Sequence, residues 1–423
     1  MKATVRLDHE LLAVEGEHTV HAMLELVAPA PEQTSQRPPL HLALVIDRSG
    51  SMAGPKLEHT KAAAGYLVRR LAKGDQFALI TYDDEVQLRA SMGAVDVSGL
   101  LAEIAAISPG GMTNLSGGWL KGAEEAARAP GDATRKVLLL TDGLANHGVV
   151  DPPTLVGMTA KLGTTGVGTT TIGYGDGFNE ELLSAMADAG GGNAYFAESP
   201  EDAPGIFAQE FTDLAALVAQ NLSVEIRPTD DVKLLGVLNE YPATAVAGGL
   251  QLALGDVYAE ENRRIVFELH IPELAKLGVC QVAEVVIRYV AVGETVAAHE
   301  LKLPLVVNMV SADEASAAMP DQAIVEEVLI LKAAQAQKEA RTRADMGDFS
   351  TAQILLERSA TELRSFAPRS ARAAELLSEA NFMEDHAARA SAATWDSTHS
   401  KRVHYNARRV NRSRRRPNEP DES

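Results

Sequence analysis

Asp47, Ser49 and Ser51 fall at alternate positions in the stretch Ile46-Asp47-Arg48-Ser49-Gly50-Ser51-Met52. One carboxylate and two hydroxyls are hard oxygen ligands, and together they suit a Mg²⁺-like ion better than zinc. Gly50 lets the loop turn tightly between the serines. Taken alone, the same spacing also describes a turn whose Asp and Ser side chains cap the next helix. Two further stretches offer companions. Ser108-Pro109-Gly110-Gly111-Met112-Thr113-Asn114 supplies a hydroxyl on a glycine-rich loop, and Val137-Leu138-Leu139-Leu140-Thr141-Asp142-Gly143 is an apolar run ending in a carboxylate and a glycine.

These residues need a scaffold, and the flanking patterns supply one. The apolar run 40–46 is long enough for one buried strand. After the loop, Leu57, Ala64, Leu67, Val68 and Leu71 recur on one helical face. The Asp-Ser-Ser loop therefore belongs at the C-terminal end of a strand, the edge where open α/β sheets place their ligands. Strand and helix patterns then alternate. Strands are predicted at 40–46, 77–82, 137–141, 169–173 and 193–196, and helices at 56–72, 98–106, 115–128, 151–162, 179–188 and 201–218. That order predicts an α/β fold, a doubly wound and mostly parallel sheet covered on both faces.

On these residues the chain resembles a von Willebrand factor A (VWA) domain over about residues 40–218. Its loops are similar to that family's metal-ion-dependent adhesion site (MIDAS). Asp47, Ser49 and Ser51 match the first loop of the motif, Thr113 the second and Asp142 the third, each with a residue type usual in the family. The segments 171–175 and 191–196 resemble the family's last two strands, and the resemblance implies an antiparallel edge strand at 86–90. It also implies a function: metal-bridged recognition of a protein partner, with Mg²⁺ (or Mn²⁺ or Ca²⁺) held by Asp47, Ser49, Ser51, Thr113 and Asp142. The electrostatics agree. Two carboxylates balance a divalent ion, and three hydroxyls add coordination without charge. Lewis acidity remains for a sixth oxygen, for which a partner's Asp or Glu is well suited. The alternative reading is a regulatory or adaptor subunit of an ATPase of the MoxR or chelatase type, or of another enzyme complex, as such relatives imply.

An enzyme is not expected. The chain has no G-x-x-x-x-G-K-[ST], H-E-x-x-H, C-x-x-C or G-x-S-x-G motif. No general base or nucleophile is evident beside the three loops, which disfavours a metal-dependent hydrolase. Asp83 and Asp84 follow a strand end and read as a solvated turn. Cys280 is the single cysteine, so no intramolecular disulfide forms, and its strand-like setting marks a small buried hydrophobe. The N-terminus lacks an apolar signal core, and no run approaches the roughly 20 apolar residues that span a bilayer. The expected location is the cytoplasm, with no membrane partner.

A chain of 423 residues has room for two or three domains. Residues 1–38 contain an alternating strand at 19–27, with Val20, Ala22, Leu24 and Leu26 on one side. Pro29 to Pro39 is a Pro-, Gln- and Ser-rich linker. Residues 219–310 turn to short alternating runs, such as Ile265, Phe267, Leu269 and Ile271, the pattern of an antiparallel β-sandwich. The strand at 19–27 is expected to complete an edge of that sandwich, which makes 40–218 an insertion within it. Residues 311–393 are helical, with a break at Gly347-Asp348. The net charge is −19, yet residues 401–416 hold eight Lys and Arg and no acid. The acidic body argues against nucleic acid as its ligand. The basic segment 394–423 reads as a solvated, disordered tail whose removal costs little stability. Its alternative is docking on an acidic surface, on nucleic acid or on the chain's own acidic body.

Overall fold

The computed structural model describes residues 1–30, 39–128, 133–274, 276–292, 297–391 and 394–415. The chain opens with three strands, β1 (Lys2–Leu7), β2 (Leu11–Ala13) and β3 (His18–Val27). Strands and helices then alternate: β4 (Leu40–Asp47), α1 (Pro55–Arg70), β5 (Gln76–Tyr82), β6 (Val86–Ala94), α2 (Val97–Ala105), α3 (Leu115–Arg128), β7 (Thr134–Thr141), α4 (Pro152–Gly163), β8 (Val167–Tyr174), α5 (Glu180–Ala189), β9 (Gly191–Ala197) and α6 (Ala203–Ala215). Seven strands follow: β10 (Leu217–Pro228), β11 (Lys233–Val237), β12 (Ala243–Val246), β13 (Gly249–Tyr258), β14 (Asn262–Ile271), β15 (Gly278–Ala291) and β16 (Ala297–Val310). The chain then turns helical, with α7 (Ala312–Ala317), α8 (Gln322–Asp345), α9 (Phe349–Phe366), α10 (Ala373–Ser391) and α11 (Ser397–Asn411), before a two-residue strand β17 (Arg414–Arg415).

The alternating unit is built on a sheet of order β6-β5-β4-β7-β8-β9, in which only the edge strand β6 runs antiparallel. Side chains alternate across a strand. Leu42, Leu44 and Ile46 of β4 therefore pack with Leu57 and Leu67 of α1, Ile104 of α2 and Phe207 of α6. Ala43 and Val45 face the other way, toward Trp119 of α3 and Leu183 of α5. Burial on both faces is why β4 reads as an unbroken apolar run. Helix α3 carries three glycines, Gly117, Gly118 and Gly122, at a cost in helix propensity. A Cβ on Gly118 would lie 2.4 Å from the Tyr82 ring, and one on Gly122 2.4 Å from Val45. These glycines let α3 lie close on the sheet, which carries the loop preceding α3 to the end of β4.

The remaining strands form two sheets, β1-β3-β14-β11 with β17 on β14, and β12-β13-β10-β15-β16-β2. They share one core, where Val20 and Leu24 of β3 and Phe267 of β14 meet Val224 of β10 and Val285 of β15. The strand expected at 19–27 is β3, paired with β14 from His18↔Ile271 to Val27↔Asn262. It lies inside its sheet, between β1 and β14, and not at an edge. Cys280 is half-buried at the margin of this core. The linker expected at 29–39 falls mostly on 31–38, outside the described residues. Among the described residues, no helix is long and apolar enough to cross a membrane.

The expectation of a disordered basic tail is corrected for its described part. Asp396 caps α11 by accepting from the His399 amide. The basic side chains of this segment pair with acids: Lys401 with Glu180, Arg402 with Glu198, Arg408 and Arg412 with Asp188, and Arg414 with Glu261. Tyr405 stacks on Phe196 of β9 at a centroid distance of 5.6 Å. The partners lie between 153 and 224 residues away in sequence. A local charge pattern cannot distinguish a solvated basic helix from one paired at that range. Residues 416–423 of the expected tail lie outside the described residues.

Candidate functional site

Three loops meet at the C-terminal edge of the mostly parallel sheet. Asp47 ends β4 and is fully buried. The Thr141 hydroxyl donates to its Oδ2 at 2.7 Å, and the Ser49 amide donates to its Oδ1 at 2.8 Å. The Ser49 and Ser51 hydroxyls lie 3.1 Å apart. Ser51, at the exposed rim, donates to Asp142 Oδ1 at 2.7 Å. Lys56, in the first turn of α1, holds the other oxygen of Asp142 at 2.6 Å. Thr113 is buried, and its hydroxyl lies 3.3 Å from the point where a Cβ on Gly143 would stand, with Ser51 Oγ 3.9 Å from the same point. Asp47, Ser49, Ser51, Thr113 and Asp142 therefore converge on one small region.

The loops are fixed to one another by backbone bonds. Gly50 donates to the Gly111 carbonyl, Gly110 to that of Arg48, and Asn146 to that of Thr113. In return the Thr113 amide donates to Asn146 Oδ1 at 2.9 Å. Asp83 is not the solvated turn residue expected. It is buried, pairs with Arg48 at 2.8 Å and accepts the Gly111 amide at 3.0 Å. It anchors the glycine-rich loop to the first loop. Thr141, Asn146, Arg48 and Lys56 were also missed by sequence reasoning. Thr141 directly precedes Asp142, but nothing in its spacing shows that it serves Asp47.

The two carboxylates of the site, Asp47 and Asp142, are buried. Burial pushes the Asp47 carboxyl up to about 6. Hydrogen bonds from Thr141 and Ser49 oppose that rise, and the charge on Asp142 adds to it. Among the described residues, no three His, Cys, Asp or Glu side chains gather in a metal-binding arrangement. The donor set here is mixed, two carboxylates with three hydroxyls. That chemistry fits a hard divalent ion.

Residues 41–209 match the family model for the von Willebrand factor type A domain. A protein of Synechocystis sp. known only as uncharacterised is 28% identical over 378 residues, which cover 84% of this chain and 87% of that one. Two solved structures share the fold across the whole chain. A von Willebrand factor type A protein from Catenulispora acidiphila matches 98% of this chain and 97% of its own, with a TM-score of 0.72 and 16% identity. The ArnB paralog VWA2 from Sulfolobus acidocaldarius matches 97% and 98%, with a TM-score of 0.63 and 18% identity. The likeness thus extends beyond the VWA domain to the sandwich and the helices.

Proposed function

We propose that the VWA domain of this chain is a metal-dependent protein-recognition module. Asp47, Ser49, Ser51, Thr113 and Asp142 would hold a Mg²⁺-like ion, and a partner protein would contribute an Asp or Glu carboxylate to it. The observation that carries this reading is the convergence of two carboxylates and three hydroxyls from three loops at one sheet edge. Two carboxylates would balance the charge of a divalent ion, and the all-oxygen donor set would suit a hard cation such as Mg²⁺ or Mn²⁺. The ion would supply Lewis acidity toward an incoming carboxylate. The chain supplies the rest: Thr141 and Ser49 orient Asp47, Asn146 holds the Thr113 backbone, and Asp83 with Arg48 fixes the glycine-rich loop.

The test is capture of partners from native lysate by the full chain, read by mass spectrometry, with Mg²⁺, with chelator and with Asp142→Ala. A set of proteins retained with Mg²⁺ and lost in the other two arms is the expected result. Partners that persist through both chelator and Asp142→Ala would refute the mechanism.

A further inference from the structure

Lys56 stands where a basic residue is electrostatically disfavoured. Pro55 opens α1, so Lys56 is its second residue, and the positive end of a helix dipole favours acids there. Its placement needs another reason, and the geometry supplies one. Its ammonium lies 2.6 Å from Asp142 Oδ2, while the Asp142 side chain is completely buried and Lys56 remains 31% exposed. The Ser51 hydroxyl occupies Asp142 Oδ1. Both oxygens of this carboxylate are thus satisfied from within the chain. A second cation at the loops, Arg48, is paired with Asp83.

We infer that Lys56 is an internal counter-ion that competes with a divalent cation for Asp142 and thereby sets how much free cation the site requires. This rests on the metal-binding reading above. A hydroxyl such as that of Ser51 can rotate and offer a lone pair to an ion, but an ammonium has no lone pair to offer. A dication drawing on Asp142 would also meet the Lys56 charge at close range, and the like charges repel. Lys56 can yield: its stem is flexible, and its side chain is partly exposed. Beside its Nζ lies Gly175, where even an added Cβ would stand 3.6 Å away.

The test is titration of the chelator-treated full chain with MgCl₂ and MnCl₂ by calorimetry, comparing wild type with Lys56→Met, Lys56→Gln and Lys56→Arg. Methionine keeps the apolar stem, and glutamine gives a second neutral variant should methionine impair folding. Both neutral variants should bind the ions roughly tenfold more tightly, the scale of one nearby charge under near-surface screening. Lys56→Arg should stay within a few-fold of wild type. In chelator the neutral variants should melt below wild type, because Asp142 has lost its partner, and added Mg²⁺ should close that gap. Unchanged or weaker metal binding in both neutral variants, beside a wild type that binds, overturns the inference and leaves the proposed function standing. A silent wild type beside metal-binding Lys56→Met does the reverse, showing that Lys56 holds the site against the ion. Silence in every protein overturns both.

Discussion

Asp47 is subject to two opposed demands. Its position at the end of β4 removes it from water, and that burial raises its carboxyl to about 6. A charged carboxylate is nevertheless what a cation requires. For a group whose folded value is raised, stability is fully present below the unfolded value near 4 and is lost as pH rises through 6. Asp47 therefore opposes folding at neutral pH. Asp47→Asn should raise the melting temperature at pH 7 in chelator, by about 1–2 kcal/mol in stability. The Thr141 hydroxyl can turn to accept from the new amide. The same variant should lose divalent-ion binding. A melting curve that falls, or calorimetry that still shows tight binding, would count against this account of the residue.

At the scale of elements, α11 decides more than its composition suggests. It lays Lys401 across the Phe178 ring at 4.4 Å and donates to the Phe178 carbonyl at 2.8 Å, at the entrance to α5. Arg408 and Arg412 neutralise Asp188, whose carboxyl is held below the usual range although burial alone would raise it. Removing 396–423 should therefore lower the melting temperature of the full chain by several degrees, since the cut strips two arginines from a half-buried aspartate. A truncated chain that melts like the intact one would show these pairs to be worth nothing. The segment also carries a pH signal. Burial depresses His404 to about 4, and it lies 2.9 Å from Ser184 of α5 and from Arg341 of α8. The unfolded chain takes up this proton near 6.5 and the folded chain does not, so stability is lost as pH falls from 6.5 toward 4. Wild type minus His404→Gln should show that loss across that window in pH-dependent melting, on the order of 1–3 kcal/mol.

For the whole molecule, the VWA domain and the sandwich are joined by buried polar contacts. Lys136 of β7, with no exposed surface, pairs with Asp256 of β13. Asn193 of β9 donates to Tyr258 of β13 and to Glu210 of α6, and the backbones of Gly191 and Gly255 come within Cβ contact of each other, both at positive φ. Breaking a buried pair on one side strands the other charge. Lys136→Ala should cost about 3–5 kcal/mol in denaturant unfolding of the full chain. A change below about 1 kcal/mol would mean that Asp256 finds water or another donor.

Sequence alone determined the alternation of strand and helix over 40–218, because burial of a parallel sheet on both faces leaves apolar runs that are read locally. It also put Asp47 at a strand end and Ser49, Ser51, Thr113 and Asp142 on loops, since loop chemistry is written in short stretches. It placed the break at Gly347-Asp348, where Gly347 adopts a φ of +84° and Asp348 caps α9. Only the tertiary structure decided which charges are paired. Lys56 and Asp142, Arg48 and Asp83, and the basic face of α11 and Asp188 are far apart in the chain, and no local pattern distinguishes a paired charge from a solvated one. It likewise decided that β3 lies inside its sheet. Alternation shows which face of a strand is buried but not which strands flank it, and that depends on how the two sheets close over a common core.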